Sequence, residues 1–406
     1  MNIPVPASQS RFTWDALNSV DQPIGQARGM PNAAYTEQRF FEFERDRIMA
    51  THWTAIGFVH RLEPAMVRPL DLMGLPLLVS KTKAGEVRVF HNVCSHRGTL
   101  LVEQAKKTNG LIVCPYHGWS YSVEGDLKAT PNIGGVGIHS VPGFDCGNHG
   151  LKEIRSHVWL GILFINLDGN APEFEVDAAP LIKRCRGLMG ETGEAHARPA
   201  RTHSGISLSM ECNWKLAVEN FLEAYHLPMI HPGLNSYSPL SKHHNEIFFE
   251  NSSGQVTESF DLKLGSANPL PIFPGWNPDR LDTGEYPALY PNLFLGFQAN
   301  HLFAIIIDPV SPTQCREDLL LYYVDHGADS DRFEEARKAN LAAWLEIFNE
   351  DIRPCEMMQR GRCSPGYHGG AFSPVHDTCT HHFHKWIAQQ YQTAGRDGFP
   401  AGNPPG

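Results

Sequence analysis

Between Cys94 and Trp119 the chain reads CSHRGTLLVEQAKKTNGLIVCPYHGW. The segment holds two ligand-like pairs, Cys94-Ser95-His96 and Cys114-Pro115-Tyr116-His117, with 17 residues between His96 and Cys114. Two thiolates and two imidazoles can bind zinc tetrahedrally, or a [2Fe–2S] cluster whose second iron takes the histidines. A zinc knuckle more often places two residues between the ligands of each pair. Here the first pair has one and the second has two, an asymmetry that suits a cluster clamped between two loops. Coincidental cysteines and histidines in β loops are the bland alternative.

Outward from these loops, the chain from His52 to about Asn166 reads as β. Leu77, Leu78 and Val79 form a short apolar run, Val87, Val89 and His91 alternate with polar neighbours, and Leu111, Ile112 and Val113 lead directly into Cys114. Trp159 to Asn166 (WLGILFIN) reads as one more apolar strand. Gly, Pro and Asn punctuate these runs, as in a small sheet-rich domain. Before it, an irregular arm ends in a helix expected from Thr36 to about Ala50. Beyond Asp168 the character changes. Ala171 to Pro180 is a polar connector, and helices are expected over Ala179–Met189, Asn213–His226 and Asp331 to about Arg360, the last with Phe333, Trp344, Phe348 and Ile352 on one side. Strands are expected over Ser204–Glu211, Ala299–Asp308 and Asp318–Val324. Gly398–Gly406, rich in Gly and Pro, reads as a flexible tail. Separated strands and helices of this kind indicate α+β rather than βαβ winding.

A second constellation lies in the segment NWKLAVENFLEAYHLPMIHP, from Asn213 to Pro232. On a helix Glu219, Glu223 and His226 stand at i, i+4 and i+7 and share a face. His226 and His231 are five apart, about 140° on an ideal helix. Pro228 interrupts that helix and leaves His231 free to swing back. Two histidines and one carboxylate leave half of an octahedral Fe(II) open for oxygen and substrate. Ordinary helix-end histidines are the alternative reading.

Composition sets bounds on both. The chain has 406 residues, enough for two or three domains, and is 42% hydrophobic and 19% charged, which excludes a disorder-dominated protein. A net charge of −10 argues against nucleic acid or an anionic membrane as partner. No apolar run approaches the roughly 20 residues that span a bilayer. The first 30 residues contain no continuous apolar segment of the kind a secretory signal needs, so a cytoplasmic address is expected. Nine widely spread cysteines fit a reducing compartment. The 21 histidines are roughly double ordinary usage, and many are clustered.

The residues around both constellations resemble the Rieske non-haem iron oxygenases. His96-Arg97-Gly98 and Cys114-Pro115-Tyr116-His117-Gly118-Trp119 resemble the Rieske signature of ring-hydroxylating oxygenases, and the block ending in His226 and His231 resembles their catalytic motif. The resemblance extends from about Glu37 to Tyr391. It implies that Cys94 and Cys114 bind one iron of the cluster and His96 and His117 the other. It also implies that His226 and His231 bind a mononuclear Fe(II), with an aspartate from a late helix. Asp351 is the residue chosen; Glu350 beside it is the rival, since helical geometry points the two roughly 100° apart. Glu223, three before the first histidine, matches an acidic residue that bridges to a cluster histidine of the neighbouring subunit. A solvated helix residue is the alternative for it. Asn213 and Asn220 are weaker candidates for the catalytic site, with packing or capping as the other explanation.

By the same resemblance the fold is α+β: a small β-rich Rieske domain and a larger catalytic domain, an antiparallel sheet with helices in a helix-grip-like arrangement. Residues 1–45 would form an arm and helix packing on the catalytic domain, 46–166 the Rieske [2Fe–2S] domain and 167–406 the mononuclear iron domain. A separate flavin and iron–sulfur reductase, alone or with a ferredoxin, would deliver electrons from NAD(P)H, with O2 as co-substrate and a homotrimer as the assembly. Glutamate at position 223 resembles the branch acting on carnitine, betaines and choline. The implied reaction is hydroxylation, N-demethylation or cleavage of a small betaine-like quaternary ammonium compound. Mono- or dihydroxylation of an aromatic or aromatic-acid substrate is the alternative, and a Rieske electron carrier without oxygenase activity is the alternative from another class. Phe248, Phe249, Phe273, Trp276, Tyr286, Tyr290, Phe294 and Phe297 are the aromatic faces available to a cation.

Overall fold

The computed structural model describes residues 12, 14–260 and 269–395; the expected tail at Gly398–Gly406 lies outside them. The chain divides into two compact units, one spanning Ala50–Ala171 and the other combining Met1–Met49 with Pro172–Gly406.

The first unit is built on a seven-stranded antiparallel sheet, in the order Thr54–Phe58, Ile162–Asn166, Glu153–Trp159, Val87–His91, Leu75–Lys81, Met66–Leu72 and Lys106–Lys107. Leu111–Val113, Ser120–Ser122 and Leu127–Ala129 form a separate three-stranded sheet. The expected single strand Trp159–Asn166 is instead the turn of a hairpin. Leu160 and Gly161 both take positive φ, 51° and 69°, the conformation of a tight two-residue hairpin turn.

Both ligand loops are the same backbone turn. The Cys94 N–H donates to Thr99 O at 2.8 Å and the Gly98 N–H to Cys94 O at 2.9 Å. In the other loop the Cys114 N–H donates to Trp119 O at 2.8 Å and the Gly118 N–H to Cys114 O at 3.1 Å. The glycines sit at φ +69° and +74°, where a Cβ is disfavoured. The unequal Cys–His spacings are therefore two placements of histidine on one shared loop shape.

The second unit carries an eight-stranded antiparallel sheet. Its order is Ala197–Pro199, Gln314–Val324, His301–Ser311, Leu293–Gln298, Gly284–Leu289, Ser252–Thr257 and His243–Phe249, and Gly205–Met210 also pairs with Gln314–Val324. Against it lie the helices Trp214–Phe221, Glu334–Gly361 and Thr378–Thr393, called below the site helix, the long helix and the C-terminal helix.

The expected helix Asn213–His226 stops at Phe221, so Glu219, Glu223 and His226 do not share a helical face. The Glu223 carboxylate accepts from the backbone N–H groups of Tyr225 and His226, the latter at 3.2 Å, in the turn that precedes the short helix Leu227–Ile230. In the arm, the helix expected over Thr36–Ala50 is an α-helix only over Gln38–Glu44 and continues as a π turn over Arg45–Met49.

The site helix is buried along nearly its whole length, although it contains Lys215 and Glu219. Lys215 Nζ lies 2.6 Å from Glu44 Oε1, and the Trp214 indole N–H donates to Glu44 Oε2 at 2.8 Å. Tyr391 donates to the same carboxylate. Glu219 accepts from Tyr35, lies 3.3 Å from Arg362 Nη2 and 3.1 Å from His384 Nε2. Burial works against the Glu219 carboxylate, but His384, Arg362 and Tyr35 outweigh it and hold its pKa down to about 2.

Two outcomes follow from these contacts. Lys215→Met should lower unfolding stability by about 3–5 kcal/mol in urea melts, because it strands the buried Glu44 charge. The stability contributed by Glu219 is present above its ordinary pKa of 4.5 and is lost as pH falls towards about 2. Glu219→Gln should therefore flatten stability over that acid window, as followed by circular dichroism. In the first unit, Gly98 sits at φ +69°, so Gly98→Ala should cost about 1–2 kcal/mol in backbone strain.

Candidate metal centre and pocket

The sequence places His226 on a turn and His231 at the end of the next short helix, and the chain folds back so that both imidazoles meet the long helix. His231 Nε2 lies 2.9 Å from Asp351 Oδ1, and His226 Nε2 lies 3.5 Å from the same oxygen. One donor atom from each of the three falls within 4.8 Å of the others. Two imidazoles and one carboxylate at this spacing fit a single divalent ion, in the facial arrangement typical of non-haem iron. The Asn220 amide, at the end of the site helix, donates to Asp351 Oδ1 at 3.1 Å and fixes that carboxylate.

Each imidazole is also gripped from behind. Glu223 Oε1 lies 2.6 Å from His226 Nδ1, and Glu350 Oε2 lies 2.7 Å from His231 Nδ1. A carboxylate on Nδ1 leaves Nε2 free to act as the ligand atom and fixes the orientation of the ring. Burial alone would lower the pKa of His231, but Asp351 and Glu350 raise it above its ordinary value. The same negative surroundings favour a bound metal cation. Asp351 and Glu350 therefore do not compete for one position: the first meets Nε2 and the second meets Nδ1 of the same ring.

Asn213 takes no place in this pocket. It is the N-cap of the site helix: its side-chain oxygen accepts from the Lys215 N–H at 3.1 Å and its amide donates to Pro312 O at 2.8 Å. A buried Asn immediately before a helix is the commonest use of that residue type.

The pocket beside the triad is walled by Phe221, Tyr286, Phe294, Phe303, Trp344 and Phe348. Phe221 stacks on Phe294 at 4.2 Å between ring centroids, and Trp344 stands 4.6 Å from Phe303 and 5.6 Å from Phe348. Of the eight aromatic residues expected there, only Tyr286 and Phe294 contribute. Phe297 lies three positions from Phe294 on one strand and so faces the other side of the sheet. Phe273, Trp276 and Tyr290 are core residues, and Phe248 packs under the Arg184 guanidinium at 5.4 Å; Phe249 does not line the pocket either.

His243 and Glu317 also line the pocket and went unread in the sequence. Burial pushes His243 down to about 4, and its Nε2 lies 2.9 Å from the Ser238 hydroxyl. Glu317 is 8% exposed; burial first, and then the Asp351 charge, push its carboxyl up to about 8. The available signal was alternation. Glu317 stands in step with the inward-facing Cys315, Leu319 and Leu321.

In the first unit, Cys94 and Cys114 are both 3% exposed within the core, whereas His96 and His117 lie at the surface. The two imidazole rings are 4.8 Å apart, and Trp119 stacks on His96 at 4.8 Å and 8°. The Tyr121 hydroxyl lies 3.1 Å from Cys94 Sγ. Two buried thiols and two outward imidazoles on paired loops fit a two-iron cluster with its histidine-bound iron towards solvent.

Two family models match the chain. Residues 52–142 match the Rieske [2Fe-2S] domain, and residues 198–393 match the ring hydroxylating alpha subunit (catalytic domain). The chain is 28% identical to the chloroplastic choline monooxygenase of Spinacia oleracea over 383 residues, covering 90% of this chain and 79% of that one. It is 24% identical to the carnitine monooxygenase oxygenase subunit of Escherichia coli K12, over 90% and 95% of the two chains. Among solved structures, a quaternary ammonium Rieske monooxygenase superposes with a TM-score of 0.74 at 22% identity, covering 95% of this chain and 100% of the other. Naphthalene 1,2-dioxygenase from Rhodococcus sp. does so at 0.70 and 17%, covering 94% and 97%. At these identities the two superpositions speak to the fold alone.

Glu350→Gln should weaken binding of the mononuclear metal by ~10–100-fold, the usual effect of losing such a partner. Iron analysis should then fall from about three per chain towards two, with the paramagnetic signal of the reduced cluster unchanged.

Proposed function

We propose, from the premise that this chain belongs to the Rieske non-haem iron oxygenases as an alpha (catalytic) subunit, that it oxidises a small quaternary ammonium compound. The observation that carries this reading is the pocket itself, where aromatic faces and a buried carboxyl adjoin the His226–His231–Asp351 triad. Aromatic faces attract a cation that cannot hydrogen-bond, at about 0.5–2 kcal/mol each. The relatives named for choline and carnitine support the same substrate class.

When bound, the cluster and the mononuclear iron would supply electron storage and O2 activation for insertion of one oxygen into a C–H bond. The chain's own residues set the conditions. His226, His231 and Asp351 would hold the metal at the edge of the pocket. Glu223 and Glu350 keep both imidazoles in the tautomer that presents Nε2. The walls formed by Phe303, Trp344 and Phe348 exclude water and orient the alkyl groups of the substrate towards the triad. Hydroxylation at a carbon next to nitrogen gives an unstable carbinolammonium, which loses its hydroxyl proton and breaks the C–N bond to a tertiary amine and an aldehyde; hydroxylation at a more distant carbon gives an alcohol.

Alpha subunits of this family take electrons from a separate reductase and oligomerise. We assign Glu223 the further role of linking His226 to a cluster histidine of the next subunit, in a head-to-tail ring of three. Two carboxylate oxygens offer about four acceptor positions, so the three contacts to the Tyr225 N–H, the His226 N–H and His226 Nδ1 leave capacity for one more donor. No described helix is long and apolar enough to cross a membrane. A reducing, cytoplasmic compartment suits the nine free cysteines.

Oxygen uptake coupled to NAD(P)H and a reductase, measured across choline, carnitine, glycine betaine and a set of aromatic acids, tests the substrate class. Turnover is expected with an ammonium compound, and a response confined to the aromatic acids would sink the proposal. Because Glu223 also orients His226, Glu223→Gln is compared with the wild type at equal iron loading, where it should reduce turnover by ~10–100-fold. Unchanged turnover would remove Glu223 from the electron route.

A further inference from the structure

We propose that Glu317 reads the charge of the substrate: its carboxylate lies against the ammonium centre, and the pocket selects a monocation over a zwitterion that carries its own carboxylate. This rests on the ammonium reading of the pocket and narrows it.

Three carboxyl groups line the pocket, and two are already engaged. Asp351 meets both imidazoles and the Asn220 amide, and Glu223 meets His226 and two backbone N–H groups. Glu317 has no hydrogen bond or ion pair among the described residues, although it is more than nine-tenths buried. It stands in the inward column of strand Gln314–Val324, paired with Ile307 on one side and Leu208 on the other, in an apolar stretch of sheet. A carboxyl in such a place, with nothing to satisfy it, is costly to keep. The cost is recovered when a cation comes beside it.

No lysine or arginine lines the pocket; the His243 Nε2 lies against the Ser238 hydroxyl, and its buried Nδ1 is without a partner among the described residues. A zwitterion would set its own negative charge in a wall that holds Glu317 and Glu223. A neutral arene would pack against Phe303 and Trp344 but gain nothing from Glu317. A trimethylammonium group with an uncharged tail uses both the aromatic faces and the free carboxylate.

The test uses the iron-loaded full chain with three probes of one shape. Choline is the monocation, glycine betaine the zwitterion with the same head, and 3,3-dimethyl-1-butanol the uncharged carbon isostere of choline. Kd is read from the fluorescence of Trp344 and its neighbours and from calorimetry, beside kcat/KM with the reductase. The wild type should bind choline at least ~10-fold more tightly than either other probe. In Glu317→Gln that preference should collapse to within about threefold, through loss of choline affinity, and Glu317→Asp should recover part of it. A variant that keeps the wild-type preference, or a wild type that prefers glycine betaine, overturns the assignment. If ammonium compounds bind but the variant discriminates as the wild type does, only Glu317 falls. If no ammonium compound binds the wild type, the reading of the pocket falls with it. Should Glu317→Gln fail to load iron, the wild-type ratio of choline to glycine betaine still decides.

Discussion

A helix buried on every side cannot leave a charge unpaired, and that constraint organises the catalytic unit. The site helix carries Lys215 and Glu219, one turn apart, into an interior where an isolated ion costs several kcal/mol. Their partners come from far along the chain. Glu44 and Tyr35 belong to the N-terminal arm, Arg362 follows the long helix, and His384 and Tyr391 lie on the C-terminal helix. The arm is thus part of the catalytic unit because its carboxylate neutralises Lys215. The rings of Tyr35 and Trp214 add faces under the same ammonium, at 4.9 and 5.1 Å. With the helix fixed at both ends, Asn220 arrives at Asp351 and the chain turns at Phe221 towards the histidines.

The two histidines then need orientation as much as position. An imidazole can present either nitrogen, and a metal site requires one choice. Glu223 makes that choice for His226 from three residues away, and Glu350 makes it for His231 from 119 residues away. Asp351 and Glu350 are adjacent on one helix, so their side chains diverge by about 100°. That divergence is what lets them address opposite nitrogens of the single ring of His231 lodged between them.

How much of this could be read from the residues depends on the range of the interaction. The cluster loops were legible because each is a local turn whose glycine and ligands lie within a few residues of each other. The histidine pair and Asp351 were legible as a donor set. The end of the site helix was not: beyond it the Glu223 carboxylate accepts from the Tyr225 and His226 N–H groups, and side-chain periodicity continues smoothly past Phe221. The aromatic wall failed for a different reason. Density of rings says nothing of which side of a strand each ring takes, and Phe294 and Phe297 part company on parity alone. Glu317 escaped because the strand seemed to begin at Asp318, whereas pairing with Gly205–Met210 and His301–Ser311 extends it back to Gln314.

The aromatic wall in turn depends on a residue with no side chain. Gly296 is paired directly opposite Phe303. A Cβ built on Gly296 would come within 2.1 Å of the Phe303 ring, far inside van der Waals contact. The ring therefore lies over the neighbouring strand, in space that any other residue at 296 would occupy. From there its edge meets the face of Trp344 at 66° and that of Phe348 at 83°, edge-to-face arrangements that aromatic quadrupoles favour. Trp344 and Phe348 are four apart on the long helix, one turn before Asp351. The glycine thus sets the height of Phe303 on the sheet, and Phe303 sets how closely the long helix can approach. That approach determines where Asp351 meets His226 and His231, so the aromatic wall and the His226–His231–Asp351 group are positioned by one packing contact.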